Sequence, residues 1–333
     1  MPASLPFVLA LCVAVCLAAS VLTALARRYA MSRQLVDMPG ERRSHVVATP
    51  RGGGVAIVAV VAPAMLWLGL ASTPSSSVVL LGACGLALVA AIGWVDDHRP
   101  LSPWGRLAVH ILAAALLAAG VAWAGDPVWR ALMVFALALG LVNVWNFMDG
   151  INGLAVVQLI LVALGFLLLG IHGDGALLAT IAAAACAGFL PFNFPAARIF
   201  LGDVGSGALG YVAACLIALM PSTDPVHALL WLLPISTFLI DAALTLLSRI
   251  IRGERWWTPH IQHMYQRCVQ AGHAHAVVTG GYAAWTLLST FVAISMAGAP
   301  QPAIIGAFAT WYLLGVTIWL IHRIRHVRRM RLS

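Results

Sequence analysis

Eleven apolar runs, bounded by Gly, Pro or charge, recur along the chain at about 4–26, 53–72, 77–95, 106–124, 128–146, 151–171, 175–192, 205–220, 226–248, 277–297 and 302–321. A helix needs roughly 20 apolar residues to cross the hydrocarbon of a bilayer, so the pattern predicts an all-α, polytopic transmembrane bundle of about 11 spans. Composition excludes a water-soluble globule: 62% of the residues are apolar, 9% are charged and mean hydropathy is +0.96, against about a quarter charged in soluble domains. Eleven spans of about 20 residues would use most of the 333 residues. No separate soluble domain fits, and 1–333 is expected to form a single integral membrane domain.

Charge sets the expected sidedness. All 19 basic residues are Arg. The first run lacks a basic stretch before it and is followed by Arg27, Arg28 and Arg33, the pattern of an uncleaved anchor with its N-terminus outside. Alternating from there, 18 Arg fall on the inner side, including five in the tail 322–331, and only Arg130 falls outside. The N-terminus is therefore expected in the periplasm and the C-terminus in the cytoplasm. Arg130, on the far side, is expected to be dispensable for activity. The basic balance reflects topology rather than nucleic acid. Six cysteines, five of them in apolar runs, form neither a disulfide framework nor a metal pair and read as buried small hydrophobes.

The acids separate the function classes. Asp37, Glu41, Asp96, Asp97, Asp149, Asp203 and Glu254 fall on the inner side, Asp126, Asp174 and Asp224 in outer turns beside Gly or Pro, and Asp241 alone within a span. A transporter of lipid-linked or anionic cargo, the main alternative, would gather ionisable groups and broken helices near the bilayer midplane. Intramembrane Asp241 fits that reading, and equally fits a packing contact between helices. Polar inner segments at about 27–52, 96–105, 146–152, 193–205 and 249–276 fit better with an enzyme that meets a soluble substrate and a lipid headgroup at one face.

Each segment carries its own chemistry. Arg42, Arg43, His45 and Arg51 offer cationic donors, and Gly52–Gly54 allow backbone to approach an anion where the next helix begins. Adjacent Asp96 and Asp97 repel each other unless a cation or a shared proton relieves them, and Mg2+ suits carboxylate and phosphate oxygens. Asn143, Asn146, Asp149 and Asn152 recur every three residues, near one helical face if the helix persists, although Gly150 and Gly153 argue for a break. Asp203 stands among Gly202, Gly205 and Gly207, and Phe200 suits either stacking on a base or anchoring at the interface. His260 and His263 lack the further ligands of a zinc site and read as phosphate contacts. His273 and His275 read as ordinary loop residues.

Together the paired Asp96 and Asp97, NFMDGING (146–153), FLGDVGS (200–206) and the His260/His263 pair resemble the polyprenyl-phosphate N-acetylhexosamine-1-phosphate transferases, across nearly the whole chain. That membrane family includes the phospho-N-acetylmuramoyl-pentapeptide transferases of peptidoglycan synthesis and the O-antigen initiating enzymes, and ATPRGGG (48–54) with HIQHMYQR (260–267) look closest to the latter. Two departures stand out: Asn152 replaces a second Asp common in bacterial members, as in the dolichyl-phosphate branch, and His45 with several Arg replaces a Lys of the peptidoglycan enzyme.

The resemblance implies a phosphotransferase of the bacterial inner membrane with its site facing the cytoplasm, moving a sugar-1-phosphate from a UDP-N-acetyl sugar to undecaprenyl phosphate, with release of UMP, to initiate a lipid-linked surface glycan. It implies Mg2+, with Mn2+ as a substitute, held by Asp203 and Asn152, and Asp96, Asp97 and Asp203 as the catalytic residues. Asp96 and Asp97 would position or deprotonate the lipid phosphate. Asn193, Phe200, Gly150 and Asn152 would form the uridine pocket, Asn146 and Asp149 would help bind substrate, His260 and His263 would contact the diphosphate or sugar, and Arg51 would clamp a phosphate. A homodimer is compatible with this reading; nucleic acid is not a partner.

Overall fold

The computed structural model describes residues 5–37, 48–71, 73–221, 223–255, 257–258 and 260–332, the last seven by backbone alone. Glu41, Arg42, Arg43, His45 and Trp256 lie outside the described residues.

Every apolar run folds as helix. In chain order these are α1 (Leu5–Ser32), α2 (Val55–Gly69), α3 (Ser76–His98), α4 (Pro103–Trp123), α5 (Val128–Met148), α6 (Leu154–Leu168), α7 (Gly173–Asn193), α8 (Gly202–Ala218), α9 (Pro225–Ala228), α10 (Ser236–Ile251), α11 (Met264–Gln270), α12 (His275–Ser295) and α13 (Gln301–Leu332). The all-α, polytopic expectation is borne out. Seven helices, α1, α3, α4, α5, α7, α12 and α13, are long and apolar enough to cross a membrane. An eighth span is available if α9, its 3-10 continuation Leu229–Leu232 and α10 count as one, although that pair bends by 85°. Three helices, α2, α6 and α8, are apolar but only 15 to 17 residues long. Gly52, Gly153 and Gly202, all at positive φ, turn the chain where these helices begin.

The core is continuous from α1 to α12. At its centre α8 is buried at every residue from Val204 to Ala218 and packs mainly on α3 and α5. Its run of Gly, Ala and Ser is the composition that lets helices approach closely where lipid supplies no hydrophobic drive. Among the described residues, the strands are two residues each: Val36–Asp37 pairs antiparallel with Thr49–Pro50 and closes the base of the first loop. The cysteines are all free, with Cys186 and Cys215 buried, but Cys84 is exposed on the helical surface.

The three outer-turn acids do local work, as expected. Asp174, in the first turn of α7, accepts from the hydroxyls of Thr73 and Ser75, the latter at 2.6 Å. Asp224 caps α9 through the N–H groups of Val226 and His227. Asp126 accepts from Arg130 Nη1 at 2.8 Å.

Arg130, expected to be dispensable for activity, has a structural part instead. Its side chain is 3% exposed. Nη2 donates to the carbonyls of Ala218, at 3.0 Å, and Met220, and the guanidinium lies 5.5 Å from the ring centre of Trp231. These carbonyls end α8 and have no intrahelical donor. Removing one partner of such a set leaves buried acceptors unsatisfied, a loss of about 3–5 kcal/mol when the partner is charged. Arg130→Ala should therefore lower the thermal unfolding midpoint in detergent, followed by tryptophan fluorescence. An unchanged midpoint would show that the guanidinium is not bracing α8.

Candidate active site

The site forms where the C-terminal ends of α3 and α5 meet the N-terminal ends of α2, α4, α6 and α8. Main chain laces these together first: Phe200 N–H donates to Pro50 O at 2.7 Å, Gly53 N–H to Phe200 O at 2.9 Å, and Gly54 N–H to Leu201 O at 2.8 Å. The glycine run after Arg51 therefore does not cradle an anion. Two of its N–H groups are committed to the Asp203 segment, and a Cβ on Gly54 would stand 2.2 Å from the Cα of Gly205. Glycine is required there because two backbones touch, not because a ligand does.

Asp97 fixes the same junction from α3. Its carboxylate is 2% exposed and accepts the N–H of Asp203 and of Val204, each at 3.1 Å, so it caps the start of α8 from another helix. Arg51 Nη2 donates to Asp97 O at 2.6 Å, and its Nε lies 4.0 Å from Asp97 Oδ1. Asp96, expected to act with it, lies within hydrogen-bonding reach of the Asp203 carboxyl. It accepts from Leu101 N–H and from Arg106 Nη1, both at 2.6 Å. Arg106 Nη1 also lies 3.8 Å from Asp203 Oδ2. Both acids thus hold neighbouring groups in place, each Asp97 oxygen accepting one backbone N–H.

Asp203, at the second residue of α8, remains about one-third exposed and accepts from Asn146 Nδ2 at 2.5 Å. Asn146 also reaches Ser206 Oγ at 3.0 Å. Asp149 follows α5, and among the described residues nothing donates a hydrogen bond to its carboxylate. Withdrawal from water first, and the nearby Asp203 and Asp97 charges second, hold its carboxyl well above the usual carboxylate range.

Two cavities share this wall. One, of about 270 Å³, is largely polar and is lined by Arg51, Asp149, Asn193, Phe200, Asp203 and Gln266. The second, of about 530 Å³, runs from Asp149 and Asp203 past Arg106, His260 and His263 to apolar Val89 and Leu107. Asn146, Asp149, Gly150, Asp203 and Gln266 line both.

The expected residues divide accordingly. Arg51, Asn146, Asp149, Gly150, Phe200, Asp203, His260 and His263 line one or both cavities, and Asp97 and Asn193 line the smaller. Asn193 nonetheless spends its carboxamide on structure, accepting Gly153 N–H at 2.8 Å and donating to Ile199 O at 3.0 Å. Asp96 and Asn152 line neither cavity, and Asn152 is drawn away from the site. The helix breaks after Met148, the three-residue spacing lapses, and Asn152 Nδ2 donates to Pro195 O at 2.9 Å, away from both linings. His275, expected as an ordinary loop residue, accepts Asn152 N–H at 3.4 Å.

The histidine pair sits close, with ring centres 4.9 Å apart. Burial first, then His263 and Arg249 nearby, lower the pKa of His260 to about 4, so at neutral pH it offers one ring N–H and no charge. Residues the sequence did not single out are Arg106, Gln266 and Tyr265, whose hydroxyl donates to Phe147 O at 3.0 Å. The signal for Arg106 was the helix start beside it: Ser102 accepts Gly105 N–H at 3.1 Å with Pro103 at the first helical position, which projects the first turn of α4 over the acids.

Comparison with known proteins places this arrangement. A family model described as glycosyl transferase family 4 matches residues 78–220, the stretch from α3 through α8 that supplies all four acids. A decaprenyl-phosphate N-acetylglucosaminephosphotransferase of Mycolicibacterium smegmatis is 32% identical over 330 residues, covering 85% of this chain and 79% of the relative. The chain belongs to glycosyl transferase family 4. Within the family it also resembles a probable undecaprenyl-phosphate N-acetylglucosaminyl 1-phosphate transferase of Bacillus subtilis, 25% identical over 272 residues with 77% of this chain and 75% of the relative covered. A phospho-N-acetylmuramoyl-pentapeptide-transferase of Heliobacterium modesticaldum is 29% identical over 300 residues, covering 82% of this chain and 88% of the relative.

In this family-4 chain, Asp203 is aimed by the contact between the Gly54 and Gly205 backbones. Gly54→Ala must push α2 and α8 apart, at a cost typical of overpacking, about 1–3 kcal/mol. It should also speed amide hydrogen exchange over residues 200–206. Exchange at the wild-type rate would show that the backbone contact does not hold Asp203.

Proposed function

We propose that this protein transfers an N-acetylhexosamine-1-phosphate from a UDP-sugar to a polyprenyl phosphate, undecaprenyl phosphate in a bacterial inner membrane, and releases UMP. The observation that carries the proposal is the pair of cavities meeting at one wall of acids: the polar one suits a nucleotide sugar, and the larger one changes from polar to apolar along its length, as a lipid phosphate requires. An oxygen of the lipid phosphate attacks the β-phosphorus of the donor. A new P–O bond forms, the bridging P–O bond to the α-phosphate breaks, and UMP leaves.

Both reactants are anions and must be brought together beside Asp203 and Asp149. Arg106, at the junction of the larger cavity, and Arg51, on the smaller, are placed to pair with the lipid phosphate and the diphosphate respectively, and charge-assisted contacts of this kind provide both orientation and charge neutralisation. Phe200 lines the polar cavity where a base would stack. His260 and His263 line the larger cavity beside the diphosphate position. Asp97 and Asn193 hold the walls.

The donor set fits Mg2+. Asp203 and Asp149 offer hard oxygens, with Asp149 otherwise unbonded among the described residues. No three Asp, Glu, His or Cys among the described residues form a closed metal cage, as befits an ion that keeps waters and shares phosphate oxygens with its substrate. When bound, Mg2+ supplies neutralisation of the charge that develops on the phosphoryl oxygens. Asn152 has no part in this site.

Sidedness supports the same reading: the acids lie at one end of the bundle, the end the Arg distribution assigns to the cytoplasm. The O-antigen type of pathway rests on the likeness of ATPRGGG and HIQHMYQR alone. A transporter would gather these groups mid-membrane, whereas Asp241, the acid the sequence places within a span, is engaged by hydrogen bonds beside the same site.

Purified protein given undecaprenyl phosphate, Mg2+ and a panel of UDP-N-acetyl sugars should release UMP with one of them, and EDTA should abolish release until Mg2+ is restored. Asp203→Asn should lower the rate at least about 100-fold, as removal of a charge-stabilising group commonly does, with helical content unchanged by circular dichroism. Near-normal UMP release by that variant would remove Asp203 from its assigned part, and no release with any donor would overturn the reading.

A further inference from the structure

The transfer chemistry described above leaves one buried acid without a task. Asp241 lies in α10 and is 1% exposed, yet its carboxylate collects donors from four helices. The N–H groups of Met264 and Tyr265, which open α11, reach it at 2.8 and 3.4 Å. Tyr282 of α12 donates its hydroxyl at 2.7 Å, Trp319 of α13 its indole N–H at 3.3 Å, and Thr245 of α10 its hydroxyl at 3.1 Å. A buried carboxylate persists only when so compensated, and this one accepts N–H groups at the start of α11, beside the capping contact in which Gln266 Oε1 accepts the N–H of His263 at 3.2 Å.

The residue just before that start is His263. Its Nδ1 edge faces Asp241 Oδ1 at 3.7 Å, while its ring lies beside those of Phe147 and Tyr265, with centres 6.0 and 5.8 Å away. Among the described residues neither ring nitrogen has a hydrogen-bond partner, although the residue is 2% exposed. An unsatisfied buried nitrogen is costly, and His263 lines the cavity that also holds Asp203 and Asp149.

We propose that Asp241 is a positioning residue: by holding the first turn of α11 and the Nδ1 edge of His263, it leaves Nε2 of His263 as the atom that meets an anionic phosphate in the cavity. The inference rests on the reading of that cavity as the phosphate-transfer site. A carboxylate is needed because both of its oxygens accept; the Nδ2 group of an Asn would face N–H or O–H donors on one side and lose the hold.

Two measurements test this in the full-length protein. The first is a double-mutant cycle on UMP release. Asp241→Asn should raise KM for the UDP-sugar about tenfold and leave KM for undecaprenyl phosphate unchanged, His263→Ala should do the same, and the double variant should be no worse than either. Effects that multiply, or a change in the lipid KM instead, would overturn the proposal. The second does not depend on activity: carbethoxylation of His263 by diethyl pyrocarbonate, read by mass spectrometry against exposed His172, should be at least threefold faster in Asp241→Asn. An unchanged rate would overturn the proposal even if the wild type proved inactive, an outcome that would separately end the transferase reading. Should Asp241→Asn fail to accumulate in membranes, Trp319→Phe removes a donor to the same Oδ1 and should move both readouts in the same direction by a smaller factor; movement in neither would count against the proposal.

Discussion

The contact on which the site depends is the capping of α8 by Asp97. A carboxylate removed from water loses several kcal/mol of hydration, which is offset here by two backbone N–H groups and the neighbouring Arg51. The N-terminal end of a helix carries partial positive charge, so the cap and the helix favour each other. The consequence is positional. With Asp97 bound to the N–H groups of its second and third residues and the Pro50–Gly54 segment bound to Phe200 and Leu201 just before it, α8 begins at one defined place, and Asp203 is presented at its second position. Arg130 fixes the opposite end of the same helix, so the most buried helix of the bundle is held at both termini by charged groups from its neighbours.

The acids of this chain are accordingly of two kinds. Asp96, Asp97 and Asp241 are satisfied by donors and hold helix ends or cations in place. Among the described residues Asp149 has no hydrogen-bond donor, and it stands near Asp203 in a partly desolvated pocket, where like charges raise the cost of ionising both. Arg51 and Arg106 are already paired with Asp97 and Asp96 and do not fully neutralise the wall. A site of this kind favours an incoming cation and its anionic ligands as a set, which is the electrostatic condition for bringing two phosphates together.

Much of this was legible in the sequence. Apolar run length predicted every helix but α11, and the Asp pair, the NFMDGING segment and the FLGDVGS segment do converge. What failed was spacing carried across a break. Asn152 shares the three-residue rhythm of Asn143, Asn146 and Asp149, but the helix ends at Met148, and beyond that point period says nothing about face. The glycines at 52–54 were ambiguous for a similar reason: sequence shows that backbone is approached closely, not whether a ligand or another helix approaches it. Sidedness alone did not show that the long side chain of Arg130 reaches back to the carbonyl that ends α8. Arg106 carried no motif of its own, and only the fold brings the first turn of α4 over Asp96 and Asp203.

Why the chemistry stands at the helix ends follows from the bilayer. Irregular backbone and unpaired polar groups in hydrocarbon cost several kcal/mol each, so the breaks at Gly52–Gly54, Gly150–Gly153 and Leu201–Gly202 are tolerated only where they pair with one another or border a cavity. Here they do both. The main-chain bonds of residues 50–54 with 200–201 satisfy one set of groups, and the cavities receive the rest. A site built from the starts of short helices is open to water on one side and reaches apolar α3 and α4 surface on the other. The brevity of α2, α6 and α8 is matched to the site in this sense: each begins at one of these breaks, where Gly52, Gly153 and Gly202 turn the chain.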